Sequence, residues 1–213
     1  MSSERADQRP RRLTTPRSAA LAGVAFALLF AAALVLIRVD LPEAGQPGSQ
    51  WVLEHSVNMR IAAILMPFAG IAFLWFMGVL RDGMGRYEDK FFATVFLGSG
   101  LLFLAMMFSS VAVGVGLERS GAATHPDVAA FGQMMLMTIS KTYALRMAAV
   151  FMISLATIWL RTRLMPRWLA VTTYVVAVGV LLAADVSMWL TLIFPVWVLV
   201  VSVQLLAHRA RTD

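Results

Sequence analysis

The sequence predicts an all-α polytopic membrane protein, a bundle of six transmembrane helices with the N- and C-termini cytoplasmic. Six long apolar stretches fill the 213-residue chain, and 60% of its residues are hydrophobic. An α-helix needs about 20 apolar residues to cross a hydrocarbon core of about 30 Å. Arginine also clusters at every second connection between the stretches, which fixes the expected orientation.

The predicted elements follow the apolar stretches in order. Residues 1–17 are polar and arginine-bearing, and they are expected to form a disordered cytoplasmic tail. Residues 18–207 are expected to form one transmembrane domain, and residues 208–213 a second cytoplasmic tail. The six spans are predicted near 18–37, 58–80, 91–116, 138–160, 168–185 and 188–207.

The orientation rests on the basic residues of the short connections, which stay on the cytoplasmic side of a membrane. Thirteen of the 18 basic residues fall on the side of the two termini. The other side has Arg38, Arg60, Arg119 and Lys141, while Arg146 lies within the fourth stretch. Both termini are therefore predicted to be cytoplasmic, with a multi-pass protein between them.

The fourth stretch is longer than a bilayer requires. Thr124 and Asp127 have the spacing of a capping box, and no proline follows the start of the helix until Pro166. A helix from about 126 to 160 is therefore predicted, and it either protrudes on the outer face or kinks near Gly132. With the second helix, it is expected to form a small cap on that face.

Smaller patterns predict how the helices pack. Pro67 and Pro195 lie inside predicted spans, and each is interpreted as a static kink. The small residues Gly98 and Gly100 indicate close approach of another helix. Trp159 is placed in the aromatic belt at the membrane surface.

Composition excludes several classes of function. The chain has no cysteine, so it has no disulfide, thiol catalyst or cysteine-ligated metal. None of its three histidines lies within a predicted span, and we predict no metal site and no cofactor. The net charge of +6 lies in short connections beside apolar spans, so we expect membrane lipids rather than nucleic acid as partners. Protein partners cannot be read from this pattern.

Charge inside the membrane is the sharpest functional signal. Arg146 lies about 21 Å above the inner boundary and Asp185 about 25 Å above it, by helix rise. An unpaired charge at such a depth costs several kcal/mol, so the two are predicted to form an ion pair. In the alternative, Arg146 extends to the headgroups and Asp185 lies in a tight turn.

Two further cations, Arg60 and Lys141, are expected slightly higher than Arg146 and Asp185. Three positive charges near one carboxylate leave a surplus that suits a phosphate or carboxylate, from a lipid or a solute. We therefore predict a ligand-binding site from Arg60, Lys141, Arg146 and Asp185, with no catalytic residue.

Three segments carry a resemblance to a known group: Ala144–Ser154, Arg161–Ala170 and Phe91–Phe103. In them the chain resembles uncharacterised multi-pass membrane proteins of actinobacteria. The resemblance implies a six-helix integral protein of the plasma membrane and brings no activity with it.

Three functional hypotheses remain from the sequence. The first is a non-enzymatic membrane protein whose outer polar pocket binds a lipid headgroup or small anion, or which serves as a scaffold. The second is a small transporter or transporter subunit, which needs a polar path that the inner halves of the spans lack. The third is an integral membrane enzyme, which requires His125 and Asp127 to converge with the cations; no enzyme motif is present.

Overall fold

The computed structural model describes residues 16–40, 56–84, 90–162, 165–183 and 187–209. Every described element is a helix, so the all-α prediction is confirmed for this part of the chain. The α-helices are α1 (Pro16–Asp40), α2 (Ser56–Met84), α3 (Lys90–Arg119), α4 (Pro126–Met137), α5 (Leu145–Thr162), α6 (Arg167–Ala183) and α7 (Ile193–Arg209). A π-helical segment, Thr138–Ala144, joins α4 to α5, and 3-10 turns span Ala122–Thr124 and Met188–Leu192.

Five of the described helices are long and apolar enough to cross a membrane: Ala20–Val39, Val57–Asp82, Phe91–Arg119, Pro126–Thr162 and Trp189–Ala207. The sixth apolar helix, α6, has 17 residues and is about 25 Å long. Large apolar side chains are exposed along these helices, as expected for surfaces that contact lipid. The apolar helices indicate a multi-pass integral membrane protein. The number of crossings and the side of the termini stay predictions.

The helices pack as an open ring. In this ring α7 packs on α1, α1 on α2, α2 on α3, α3 on α5, and α5 on α6. We call the end of the bundle where α1 ends and α2 begins the distal end, and the end with Pro16 and Arg209 the proximal end.

Phenylalanine rings fill the centre of the bundle. Phe73 of α2 lies 4.6 Å from Phe26, 5.2 Å from Phe151 and 5.7 Å from Phe194, measured between ring centroids. Phe103 of α3 completes the cluster at 4.6 Å from Phe194. Because lipid tails are as apolar as these rings, close packing rather than water exclusion holds the helices together.

The fourth predicted stretch forms one long helix, Pro126–Thr162, of 37 residues. Its length of about 55 Å exceeds the hydrocarbon core by about 25 Å. Its regular hydrogen bonding changes at the π-helical segment and not at Gly132. A Cβ atom on Gly132 would lie 2.4 Å from Leu117 Cδ2, so this glycine allows α3 and α4 to approach closely.

The predicted capping box is wrong. The N-cap is His125, with Pro126 at the first helical position and no side-chain cap. The Thr124 hydroxyl instead donates to the Gly121 carbonyl at 2.9 Å. The 3-10 turn before the helix uses Thr124 and moves the helix start by one residue, so Asp127 is not at the capping-box position.

The distal end is built from three helices rather than from the second and fourth alone. A Cβ on Gly114 of α3 would lie 2.7 Å from Met59 Sδ of α2 and 3.2 Å from Leu136 Cδ1 of α4. The glycine therefore marks the point where α2, α3 and α4 meet. Residues 41–55, where the second helix could begin earlier, lie outside the described residues.

The smaller packing predictions have mixed outcomes. Gly100 does allow close approach, since a Cβ there would lie 2.3 Å from the Met77 sulfur, whereas Gly98 faces open space. Pro195 is the third residue of α7, in the first turn, where no backbone donor is needed. The belt prediction is wrong for Trp159, which is buried with its ring 6.3 Å from that of Trp197.

Candidate functional site

Three of the four predicted site residues are described, and they lie towards the distal end. Arg60 is in the first turns of α2, Lys141 is in the π-helical segment, and Arg146 is the second residue of α5. Lys141 and Arg146 are half-buried, and each has an interaction within the protein. Asp185 lies outside the described residues, so its pairing with Arg146 stays a prediction.

Arg60 joins α2 to α3 through a carboxylate. Its Nε lies 2.5 Å from Glu118 Oε1, and its side chain is 69% exposed. The Glu118 side chain is only 9% exposed, and its Oε2 has no hydrogen-bond partner among the described residues. Because Arg60 is solvated, the pair is worth about 1 kcal/mol or less. It fixes the distal ends of two helices rather than forming a buried cation site.

The buried cation is Arg38, which the sequence analysis counted only as a flanking charge. It lies in the last turn of α1 and is 2% exposed. Its Nη2 donates to the hydroxyl of Ser140, 102 residues away in sequence, at 3.0 Å. Its Nε and Nη1 have no hydrogen-bond partner within the part of the chain that the structure describes.

Helix lengths explain why these two residues meet. Arg38 lies 22 residues from Pro16 at the proximal end of α1, and Ser140 lies 22 residues from Thr162 at the proximal end of α5. Both are therefore about 33 Å from the proximal end, at the same level of the bundle. Arg146 lies about 9 Å closer to the proximal end than Ser140, by the same helix rise.

The π-helical segment builds the polar layer around Arg38. Its i→i+5 hydrogen bonding replaces the α-helical pattern, and Ser140 lies within it. The Leu136 carbonyl accepts from the Ser140 hydroxyl at 2.8 Å and from the Ser110 hydroxyl of α3 at 3.1 Å. A chain of hydrogen bonds thus runs from Arg38 through Ser140 to Leu136, where Ser110 closes it.

This arrangement gives the Leu136 carbonyl two hydrogen-bond donors, but it gives the Arg38 guanidinium only one acceptor among the described residues. The Ser140 hydroxyl accepts one hydrogen bond from Arg38, which has five N–H donors. A buried charge without compensating partners is costly in an apolar environment, by several kcal/mol. The remaining N–H groups of Arg38 match the acceptor oxygens of an anion.

A second feature is an apolar groove between α6 and α7, with a volume of about 350 Å³. Trp168 and Trp189 line it, and so does Trp197, whose Nε1 donates to Thr173 Oγ1 at 3.0 Å. Thr172 and aliphatic side chains form the rest of its walls. The groove is lined mainly by apolar and aromatic side chains, and none of its lining residues is charged.

Comparison with protein-family models, with curated proteins and with solved structures finds no match for this chain. The functional argument therefore depends on the geometry alone.

The sequence analysis missed Arg38, and the reason is physical. An arginine that directly follows an apolar stretch has the pattern of an ordinary topology signal. Its burial depends on the long helix that passes beside it and on the hydroxyl of Ser140. Ser110 and Ser140 can be placed at the level of Arg38 only when the lengths of the helices are compared.

Proposed function

We propose that this chain is a plasma-membrane protein with both termini cytoplasmic, and that it binds an anionic group in the outer half of the membrane. The observation that carries the proposal is the buried Arg38 guanidinium, with two nitrogens that lack partners among the described residues. An anion that accepts from these nitrogens neutralises the charge and supplies the missing acceptors. The protein is a binding protein in this proposal and not an enzyme.

Under this proposal the binding site is centred on Arg38 and not on Arg146. Arg38 holds the anion, and Ser140 positions the guanidinium by accepting from Nη2. The Leu136 carbonyl orients Ser140 by accepting from its hydroxyl, and Ser110 donates to the same carbonyl. Lys141 and Arg146, one and six residues beyond Ser140 on the same helix, each already have an interaction within the protein and are not assigned to the anion. Arg60 binds Glu118 and lies at the edge of the site.

A transporter ranks second. A transporter needs a polar path through the bundle, and the ring cluster around Phe73 occupies the centre of the described helices. Binding without transport agrees better with this packing. Anion flux into proteoliposomes that Arg38→Gln abolishes would reverse the ranking.

Binding is tested with the whole protein in a neutral sugar detergent. Phosphatidylglycerol, dodecanoate and inorganic phosphate are added separately, and the thermal unfolding midpoint is measured. We expect at least one anion to raise the midpoint of the wild-type protein and to have a much smaller effect on Arg38→Gln. Arg81→Gln, which changes an exposed arginine near the proximal end of α2, is the matched control and should respond as the wild type does. No response to any of the three anions would refute the proposed function.

Orientation is tested by cysteine labelling, since the chain has no cysteine of its own. Ser120→Cys, at an exposed position directly after α3, should react with a membrane-impermeant maleimide on intact cells. Arg81→Cys should react only after the membrane is permeabilised. The opposite pattern would place the termini outside.

A further inference from the structure

We infer that the anion held at Arg38 is the singly charged phosphodiester of a membrane lipid, bound through two parallel hydrogen bonds from one edge of the guanidinium. The inference rests on the proposed function and names the class of ligand that the site accepts. Three features of Arg38 lead to it: two of its guanidinium nitrogens lack partners among the described residues, it carries a single charge, and it lies near the end of α1.

The free edge comes from the hydrogen bond to Ser140. A guanidinium has two edges that each present two parallel N–H groups, one formed by Nε with an Nη and one by the two Nη atoms. Ser140 accepts from Nη2, which carries two hydrogens. Because Nε and Nη1 have no described partner, one edge keeps both of its donors. Two parallel donors match two oxygens on one atom, as in a phosphodiester.

The single positive charge of Arg38 favours a ligand that carries a single negative charge. The described contact of Arg38 is to a neutral hydroxyl, so the guanidinium contributes one positive charge at 2% exposure. A phosphodiester makes the pair neutral. A phosphomonoester, whose second pKa is about 6, carries nearly two negative charges at pH 8 and leaves an excess charge buried.

The position of Arg38 favours a lipid over a solute. Arg38 lies at the end of Ala20–Val39, a segment long and apolar enough to cross a membrane. The next residue, Val39, is 65% exposed, so the surface of α1 that contacts lipid begins beside the buried guanidinium. Headgroup phosphates lie at the ends of membrane spans, which is the level of Arg38.

The test compares four probes on the whole protein in a neutral sugar detergent at pH 8. Phosphatidylglycerol supplies the singly charged phosphodiester, and phosphatidate with the same acyl chains supplies the doubly charged phosphate. Diacylglycerol supplies the chains alone, and dimethyl phosphate supplies the phosphodiester without chains. We expect phosphatidylglycerol to raise the unfolding midpoint at a concentration at least about tenfold below that of phosphatidate or dimethyl phosphate, and diacylglycerol to have no effect.

The variants distinguish hydrogen bonding by one edge of the guanidinium from general attraction between opposite charges. Arg38→Lys keeps one positive charge but loses the planar pair of donors, so the affinity for phosphatidylglycerol should fall about tenfold or more. The ratio of its affinities for phosphatidylglycerol and phosphatidate should also be smaller than in the wild-type protein. If Arg38→Lys does not unfold cooperatively, Ser140→Ala replaces it. Without the hydroxyl that accepts from Nη2, the guanidinium is no longer held in one orientation, so binding should weaken while the preference for phosphatidylglycerol remains. Arg81→Gln should match the wild type.

Each outcome bears on a different step. Equal binding of phosphatidate overturns the charge argument, and equal binding of dimethyl phosphate overturns the lipid source; either result leaves the proposed function standing. An unchanged affinity in Arg38→Lys overturns recognition by the edge. Failure of every anionic probe removes the proposed function itself.

Discussion

The contact between α1 and α7 offers a direct test of the packing. Gly23 of α1 is buried, and a Cβ atom there would lie 2.0 Å from Ser202 Oγ of α7. The same Cβ would lie 2.8 Å from Cδ2 of Phe76 on α2. Ser202 is itself fully buried, and its hydroxyl donates to the Val198 carbonyl at 2.7 Å. One added methyl group therefore meets two helices at once.

We expect Gly23→Ala to destabilise the protein by about 1–2 kcal/mol. Extra volume in a packed core costs about 1–3 kcal/mol. Replacing a helical glycine by alanine returns about 0.5–1 kcal/mol through a lower entropy cost of folding. Gly98→Ala is the matched control, because a Cβ on Gly98 meets nothing within 4 Å, and it should be neutral or slightly stabilising.

The clash with Ser202 can be separated from the clash with Phe76 by a double-mutant cycle. Ser202→Ala removes the Oγ atom, and on a Gly23→Ala background it should restore about 1 kcal/mol. The free energy of unfolding is measured by tryptophan fluorescence in mixed micelles. If Gly23→Ala unfolds as Gly98→Ala does, α1 and α7 do not meet at Gly23 and the packing order described above is wrong.

Three further expectations concern the polar contacts. Arg38→Met should stabilise the lipid-free protein by about 1–4 kcal/mol, because an apolar side chain replaces a buried charge with few partners; a loss of about 3–5 kcal/mol in unfolding experiments would instead show that the guanidinium has a carboxylate partner in the protein. Ser110→Ala should cost about 0.5–2 kcal/mol of unfolding free energy, because the Leu136 carbonyl loses one of its two hydroxyl donors, and no change in unfolding would contradict that role. Arg161→Gln should cost about 0.5–1 kcal/mol, because the guanidinium carbon lies 4.6 Å from the ring centroid of Phe92; the same substitution should cost less on a Phe92→Leu background, and an equal cost on both backgrounds would contradict the cation–π contact.

Much of the fold could be predicted from the sequence because it depends on local composition. An apolar stretch of about 20 residues forms a helix in a membrane, since only intrahelical hydrogen bonds satisfy its backbone. The length of the helix that begins at Pro126 could be predicted for the same reason, since no breaker interrupts it. Its cap could not, because the 3-10 turn that ends at Thr124 depends on the chain before it.

The site at Arg38 was not predicted from the sequence. From the sequence, a cationic site was predicted around Arg146, because that arginine interrupts an apolar stretch. Arg38 lies at the edge of its stretch, where an arginine ordinarily reaches headgroups or water. Its burial requires the long helix to pass beside α1, and the acceptor it finds is Ser140, 102 residues away. No local pattern in the sequence records such a contact.

By itself, the sequence determined the class of protein, the order of the apolar helices and the excess length of the fourth one. These properties follow from hydropathy, backbone hydrogen bonding and helix rise, which act within each stretch. The tertiary structure decided which charge is buried, where the long helix becomes π-helical and which glycines allow close packing. Those properties depend on which helices are neighbours, and neighbours are set by packing among side chains distant in sequence.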